Sequence, residues 1–432
     1  MALWWKKKLP LFGSVLFRGE LPPQPDEFLF LEGLGINVKV HPGASRTSWK
    51  MDLVHPEWGS ANLICEDDLK PPPKEIFRFS FIPKADIEAA ESGKSILMLE
   101  MNSRYEHLLR DRKMMLRFLR AVMGDDGLVA MDNLCGRVWT REQLDDELCH
   151  DADLDVEDII NLHVIAEEKN KVFWLHSHGL KEIGYFDFDI IDPCDEVMSN
   201  SWDLARAIAF HILEGTIQPN TPLFELVHPR GNIQMVEMSR FLACAEPQYK
   251  AKIQGFLDDY HIQRHSVICE PGGTFIGRLF GRSAVRPSVF LSKSVPENPM
   301  FSFPNAAYDL MAERARKTYP LLRSLREEFT EFGFMYGVKL GITTDDGQNK
   351  EHMWFEVHEM FDDNIDATLL NQSYNVSGIK EGDRGRYQID QISDWFIMTP
   401  VGMVNPRSTA AAHMVRENPE AIRQMMKEAE NM

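Results

Sequence analysis

Two histidines one residue apart, in Trp174-Leu175-His176-Ser177-His178-Gly179-Leu180-Lys181-Glu182, are the side chains whose types and spacing point most directly to chemistry. Alternate residues of a strand project from one face, so a strand over Val172 to His178 aims both imidazoles at a single point. Paired imidazoles are zinc ligands, and a water held on such an ion becomes a nucleophile near neutral pH. Glu182, four residues beyond His178, adds a carboxylate, and Asp187 and Asp189 follow on the next strand. A plainer reading competes: the histidines close the strand before Gly179 and hydrogen-bond its turn.

A second cluster lies in Glu351-His352-Met353-Trp354-Phe355-Glu356-Val357-His358-Glu359-Met360-Phe361, whose alternation predicts a strand. Met353, Phe355, Val357 and Phe361 share one face, and His352, Trp354, Glu356 and His358 share the other. With the first set in the core, the second becomes an exposed aromatic flanked by titratable groups, the make-up of a recognition surface. Large aromatics are usually covered, so the alternative is a helix from Ala306 lying over Trp354, with Glu356 and His358 at its rim.

Other signatures fall short. Gly272 to Leu279 has the glycine spacing of a phosphate loop, but Arg278 and Leu279 stand where Lys and Ser or Thr must meet phosphate and magnesium. Asp151, Asp153 and Asp155 open with calcium-loop spacing and lack the later glycine and glutamate. The H-x-H-x-x-x-E order resembles the core of the first cupin motif, without its flanking glycines or a matching downstream motif. No nucleophile elbow, dinucleotide fingerprint or internal repeat is present.

The elements that must position these residues divide a 432-residue chain, too long for one ordinary core. Residues 1–141 read as an N-terminal α+β domain. Its strands are expected at Phe28–Leu31, Asn37–Val40, Ala61–Cys65, Ile76–Ile82 and Ser95–Met101. A helix over Arg104–Met123 follows, with Leu108, Met115, Leu116 and Leu119 at helical spacing and Arg110, Arg112, Lys113 and Arg117 on the remaining side. The opening stretch to Phe17, with Lys6 to Lys8 and breaks at Pro10 and Gly13, reads as a retained segment docked on this domain; weak interfacial membrane contact is its alternative. Residues 142–158 are an acidic linker or solvated helix. Residues 159–304 form a second α+β domain, and residues 305–400 a helix followed by a curled five-stranded sheet or partial barrel. Residues 401–432 are a helical tail.

Within the third region, Glu351 to Val357, Gly382-Asp383 and Ile392-Ser393-Asp394-Trp395 resemble the bacterial YegJ-like family, catalogued as a domain of unknown function. That resemblance implies a module over residues 305–400 and carries over no catalytic residue. Trp174 to Asp192 is similar to segments of other uncharacterised bacterial proteins.

The chain is therefore expected to be α+β and multidomain, with mainly antiparallel sheets each covered by helices. A net charge of -19 repels nucleic acid and anionic lipid, and no apolar run is long enough to span a bilayer. Six cysteines without a C-x-x-C pair fit free thiols in a reducing cytoplasm. The function read from these residues is a cytoplasmic, non-catalytic binding protein for a protein or small-molecule ligand, with no cofactor. The alternative is a metal-dependent hydrolase, with zinc held by His176, His178, Glu182 and nearby carboxylates.

Overall fold

The computed structural model describes residues 8–430 except 79, 81, 105–106, 168–171, 192–200, 220–223, 229–230, 256, 258–261, 272–284, 288–299 and 302–303. The phosphate-loop-like stretch and residues 1–7 lie outside the described residues. The chain partitions into two compact units, residues 1–144 with 156–304, and residues 145–155 with 305–432. Its three mainly antiparallel sheets, none closed into a barrel, make it a multidomain α+β protein.

In the first unit, one sheet has seven strands in the order Asn37–Ser45, Ser48–His55, Gly59–Cys65, Ser95–Arg104, Lys8–Phe17, Gly127–Asp132 and Arg137–Trp139. The apolar run after the lysines is thus an interior strand, with Leu11, Val15 and Leu16 buried. Helix Leu108–Met123 packs on this sheet through Met115, Leu116 and Leu119. Two expected strands are helical instead. Pro25–Leu34 is a 3-10 helix, started where the Glu27 carboxylate accepts from the Gln24 N–H at 2.6 Å, and Glu75–Arg78 is a single helical turn. Short apolar runs do not separate strand from helix by period alone.

Arg112 and Lys113, expected on the polar side of Leu108–Met123, are buried. Segment Val156–Ile159 covers that side of the helix, so both faces are packed. Arg112 remains charged there because Asp132 is beside it, accepting from Nε at 2.9 Å, while Nη1 donates to the Ile159 carbonyl at 3.4 Å.

The second sheet runs Met300–Phe301, Phe224–His228, Gly231–Glu237, His265–Pro271, Asp187–Ile191, Val172–His178 and Asn161–Glu167. Among the described residues its one parallel pair joins Asp187–Ile191 to His265–Pro271. Trp174, Ile191, Val236, Phe241, Ile253 and Val267 form a buried cluster between this sheet and helices Met238–Cys244 and Pro247–Ile253.

The second unit holds a six-stranded antiparallel sheet in the order Arg384–Gln388, Asn364–Leu369, Lys350–Met360, Met335–Thr343, Ile392–Thr399 and Gly402–Val404, in which the chain crosses from the first-named edge strand to pair Ile392–Thr399 with Met335–Thr343. The sixth strand is too short to stand out in the sequence. Helix Asn305–Lys317 ends at Thr318 and a second helix starts at Tyr319, with Pro320 in its first turn, where a missing N–H costs nothing. Thr318 Oγ1 donates to the Arg314 carbonyl at 2.8 Å and accepts from Trp395 Nε1 at 2.9 Å, locking the helix junction to the sheet.

The acidic segment is not uniformly solvated. Helix Arg141–Leu148 runs into residues 145–155, and within the second unit Glu147 forms a buried ion pair with Arg314. Asp146 Oδ2 lies 2.6 Å from His413 Nε2. A like-charge block is expected in water, but the Arg314 guanidinium draws Glu147 inward, and Thr409 and His413 hydrogen-bond Asp146.

Candidate functional site

The strand Lys350–Met360 realises the predicted alternation. Met353, Phe355 and Val357 are buried, while His352, Trp354, Glu356 and His358 alternate with them on the outer face. A bulge between Val357 and Glu359 interrupts the alternation, so Phe361 does not join Phe355 in the core. It lies just past the strand, half-buried, with the Arg386 guanidinium 5.0 Å from its ring centre.

Register across the sheet supplies the rest of the surface. Lys339 is directly opposite both Trp354 and Asp394, Gly337 opposite Glu356 and Phe396, and Gly341 opposite His352. Directly paired residues of a ladder share a face. A Cβ on Gly337 would overlap the Phe396 ring, and one on Gly341 would come within 3.0 Å of His352 Cε1. The two glycines therefore let neighbouring rings lie across the strand on either side of Lys339. Trp354 and Phe396 meet edge-on with centroids 5.0 Å apart, and Lys339 Nζ is 5.6 Å from the Trp354 ring centre.

Helix Asn305–Lys317 reaches this face at its margin, through Tyr308, whose ring stacks 6.2 Å from His352. His352 Nδ1 is 2.8 Å from Ser393 Oγ. Partial desolvation beside Tyr308, then the nearby Lys339 and Lys350 ammonium groups, push His352 below the ordinary histidine range. Burial also lowers Lys339, opposed by the Asp394 carboxylate and aided by Arg407. Asp394 is itself taken by Arg407 at 3.6 Å and the Trp395 N–H at 2.9 Å. The Lys339 ammonium has no hydrogen bond or ion pair among the described residues.

His358 sits apart from this group. Its Nε2 is 2.7 Å from Thr368 Oγ1, its carbonyl accepts from Arg326, and it borders a hollow lined by Arg323, Arg326 and Tyr336. Of the four predicted surface residues, the structure thus gathers His352 and Trp354 with Lys339, Phe396 and Tyr308, places Glu356 in the adjoining row, and ties His358 elsewhere.

Residues 308–426 match the family DUF2314, described as an uncharacterized protein conserved in bacteria. No curated protein and no solved structure matches the chain. The DUF2314 segment contains the whole surface just described. It excludes the first unit, where the other predicted residues lie.

There the strand Val172–His178 pairs antiparallel with Asn161–Glu167, which sets His163 directly opposite His176. His176 is buried and His163 and His178 are half-buried, and one ligating atom from each of the three lies within 4.8 Å of the others. Glu182 is exposed in the following turn and is not among the three. Asp187 and Asp189 are engaged. Asp187 accepts from Ser177 Oγ at 2.8 Å and from the Leu180 and Lys181 N–H groups, and Asp189 accepts from Trp174 Nε1 at 2.8 Å and contacts His265 Nδ1 at 3.1 Å.

Sequence reasoning missed Lys339, Phe396 and His163. For His163 a signal existed: a hairpin pairing Glu167 with Val172 must also pair residue 163 with 176. For Lys339 the hairpin that pairs Thr343 with Lys350 likewise sets residue 339 opposite 354; for Phe396 no signal existed, because it meets Gly337 through pairing of Met335–Thr343 with Ile392–Thr399, strands that are not consecutive in the chain.

Proposed function

We propose that this protein is a cytoplasmic, non-catalytic binding protein, and that its DUF2314 segment is a YegJ-like module. The outer sheet face would hold a partner protein segment presenting a carboxylate beside an apolar or aromatic side chain. One observation carries this reading: Lys339 is largely buried beside the Trp354–Phe396 pair, with no anionic partner of its own at hydrogen-bond distance among the described residues. A desolvated ammonium is costly unless something neutralises it, and an aromatic pair next to it offers the apolar contact that anchors a side chain.

Support for the cytoplasm comes from the five described cysteines, all free thiols, three of them buried. Among the described residues no helix is long and apolar enough to cross a membrane. The overall negative charge favours a protein partner over nucleic acid. Engagement of Asp187 and Asp189 by neighbouring donors weighs for binding over the metal-dependent hydrolase, because hydrolysis there would need a carboxylate free to take a proton.

A displayed library of short peptides selected on the full chain tests the reading. Enriched peptides should pair Asp, Glu or a free C-terminus with Leu, Phe or Trp, and should lose roughly tenfold or more in affinity for Lys339→Met and Trp354→Ala. Peptides that bind both folded variants as tightly as the native chain would refute it.

A further inference from the structure

We infer that the hairpin of Asn161–Glu167 and Val172–His178 is a transition-metal site, in which His163, His176 and His178 hold one divalent ion of the zinc and copper class. This site lies in the first unit, outside the DUF2314 segment, and does not depend on the binding face proposed above.

Three features place the imidazoles together. His176 and His178 are alternate residues of one strand, and His163 is the cross-strand partner of His176. Their rings pack with centroids 5.3 Å apart for His163 and His176, 4.4 Å for His163 and His178, and 4.6 Å for His176 and His178. One nitrogen from each falls within 4.8 Å of the others. A tetrahedral ion with bonds of about 2.05 Å sets nitrogens roughly 3.3 Å apart, so closure needs only small side-chain rotations. Three rings packed this closely repel one another once protonated, whereas a metal ion turns the same crowding into a ligand set.

The surroundings favour a cation and stiffen its ligands. Asp189, fully buried, is the ladder partner of His176 on the inner side, where it is held by Trp174 Nε1 and His265 Nδ1. The Trp174 ring lies 5.1 Å from that of His176, fixing the buried ligand from the core side. Ligands oriented by packing lose little freedom on binding. On the outer side Asn161–Glu167 is the last strand of the sheet, and His163 and His178 are half-buried, which leaves the fourth position to water. Three neutral imidazoles without thiolate select borderline divalent ions over magnesium or calcium.

The test uses the full chain, stripped with chelator and titrated with zinc by calorimetry, with cobalt absorption as a second readout. The expected result is one zinc per chain with micromolar or tighter affinity, tetrahedral cobalt bands without thiolate charge transfer, and roughly tenfold or greater weakening in both His163→Gln and His178→Gln. Absence of stoichiometric zinc, or unchanged binding in the folded variants, overturns the assignment. Should either variant fail to fold, diethyl pyrocarbonate labelling of the native chain decides. Zinc protecting the half-buried His163 and His178 supports the site, and equal labelling of both with and without zinc refutes it.

Discussion

Replacing Glu147 by alanine should damage the second unit far more than its place in an acidic stretch suggests. The carboxylate and the Arg314 guanidinium are 6% and 3% exposed, so the pair is shielded from solvent. Arg314 also donates from Nη1 to the Asp153 carbonyl at 3.1 Å and from Nε to the Pro406 carbonyl at 2.8 Å, which fixes it in place after Glu147 is gone. The mutant would hold a buried guanidinium that has lost its paired carboxylate, and breaking such a pair costs about 3–5 kcal/mol. Glu328 and Arg416 provide the comparison, because that pair has similar geometry but is about 40% exposed; Glu328→Gln should cost about 0.2–1 kcal/mol. Hydrogen exchange of the strand Ile392–Thr399, read by mass spectrometry on the full chain, reports opening of this unit. For Glu147→Ala its protection should fall by roughly 150-fold or more, since about 1.4 kcal/mol is a factor of ten. Equal, small losses in the two variants would refute the claim that residues 145–155 are built into the second unit. A further variant separates charge from packing: Glu147→Leu with Arg314→Met should recover most of the stability, as apolar replacements of buried pairs do.

Three further outcomes are expected. Phe355→Ala, which empties a fully buried site, should cost about 3–5 kcal/mol, whereas His358→Ala, losing one hydrogen bond to Thr368, should cost about 1 kcal/mol; denaturant melts that rank them the other way would reverse the two faces of the strand. His352 has a folded pKa below its unfolded value of 6.5, so the unfolded chain takes up the proton first, and stability should fall as pH drops below 6.5. His352→Gln should flatten that part of a stability–pH profile, and an unchanged slope would contradict it. Gly337→Ala, whose Cβ would overlap the Phe396 ring, should weaken peptide capture by the outer face while leaving the Lys350–Met360 strand folded; crystals showing Phe396 unmoved would argue against the glycine floor.

The sequence by itself determined the class of fold and the two faces of its clearest strand. Alternation over Met353, Phe355 and Val357 is a local property of extended backbone, so it shows in the residue order and survives in the structure. The His-x-His spacing was legible for the same reason. Paired carboxylates and bases far apart in sequence were not. Arg314 and Glu147 are separated by 167 residues, and only the packing of their helices makes the acidic stretch part of a core. Likewise Arg112 looks like a surface residue of an amphipathic helix until Val156–Ile159 covers its outer side. Strand register decided the rest: one bulge removes Phe361 from the core, and pairing of Met335–Thr343 with a strand on each side sets Lys339 between Trp354 and Asp394. Periodicity says which residues share a face, but pairing between strands, fixed by tertiary packing, says which residues meet.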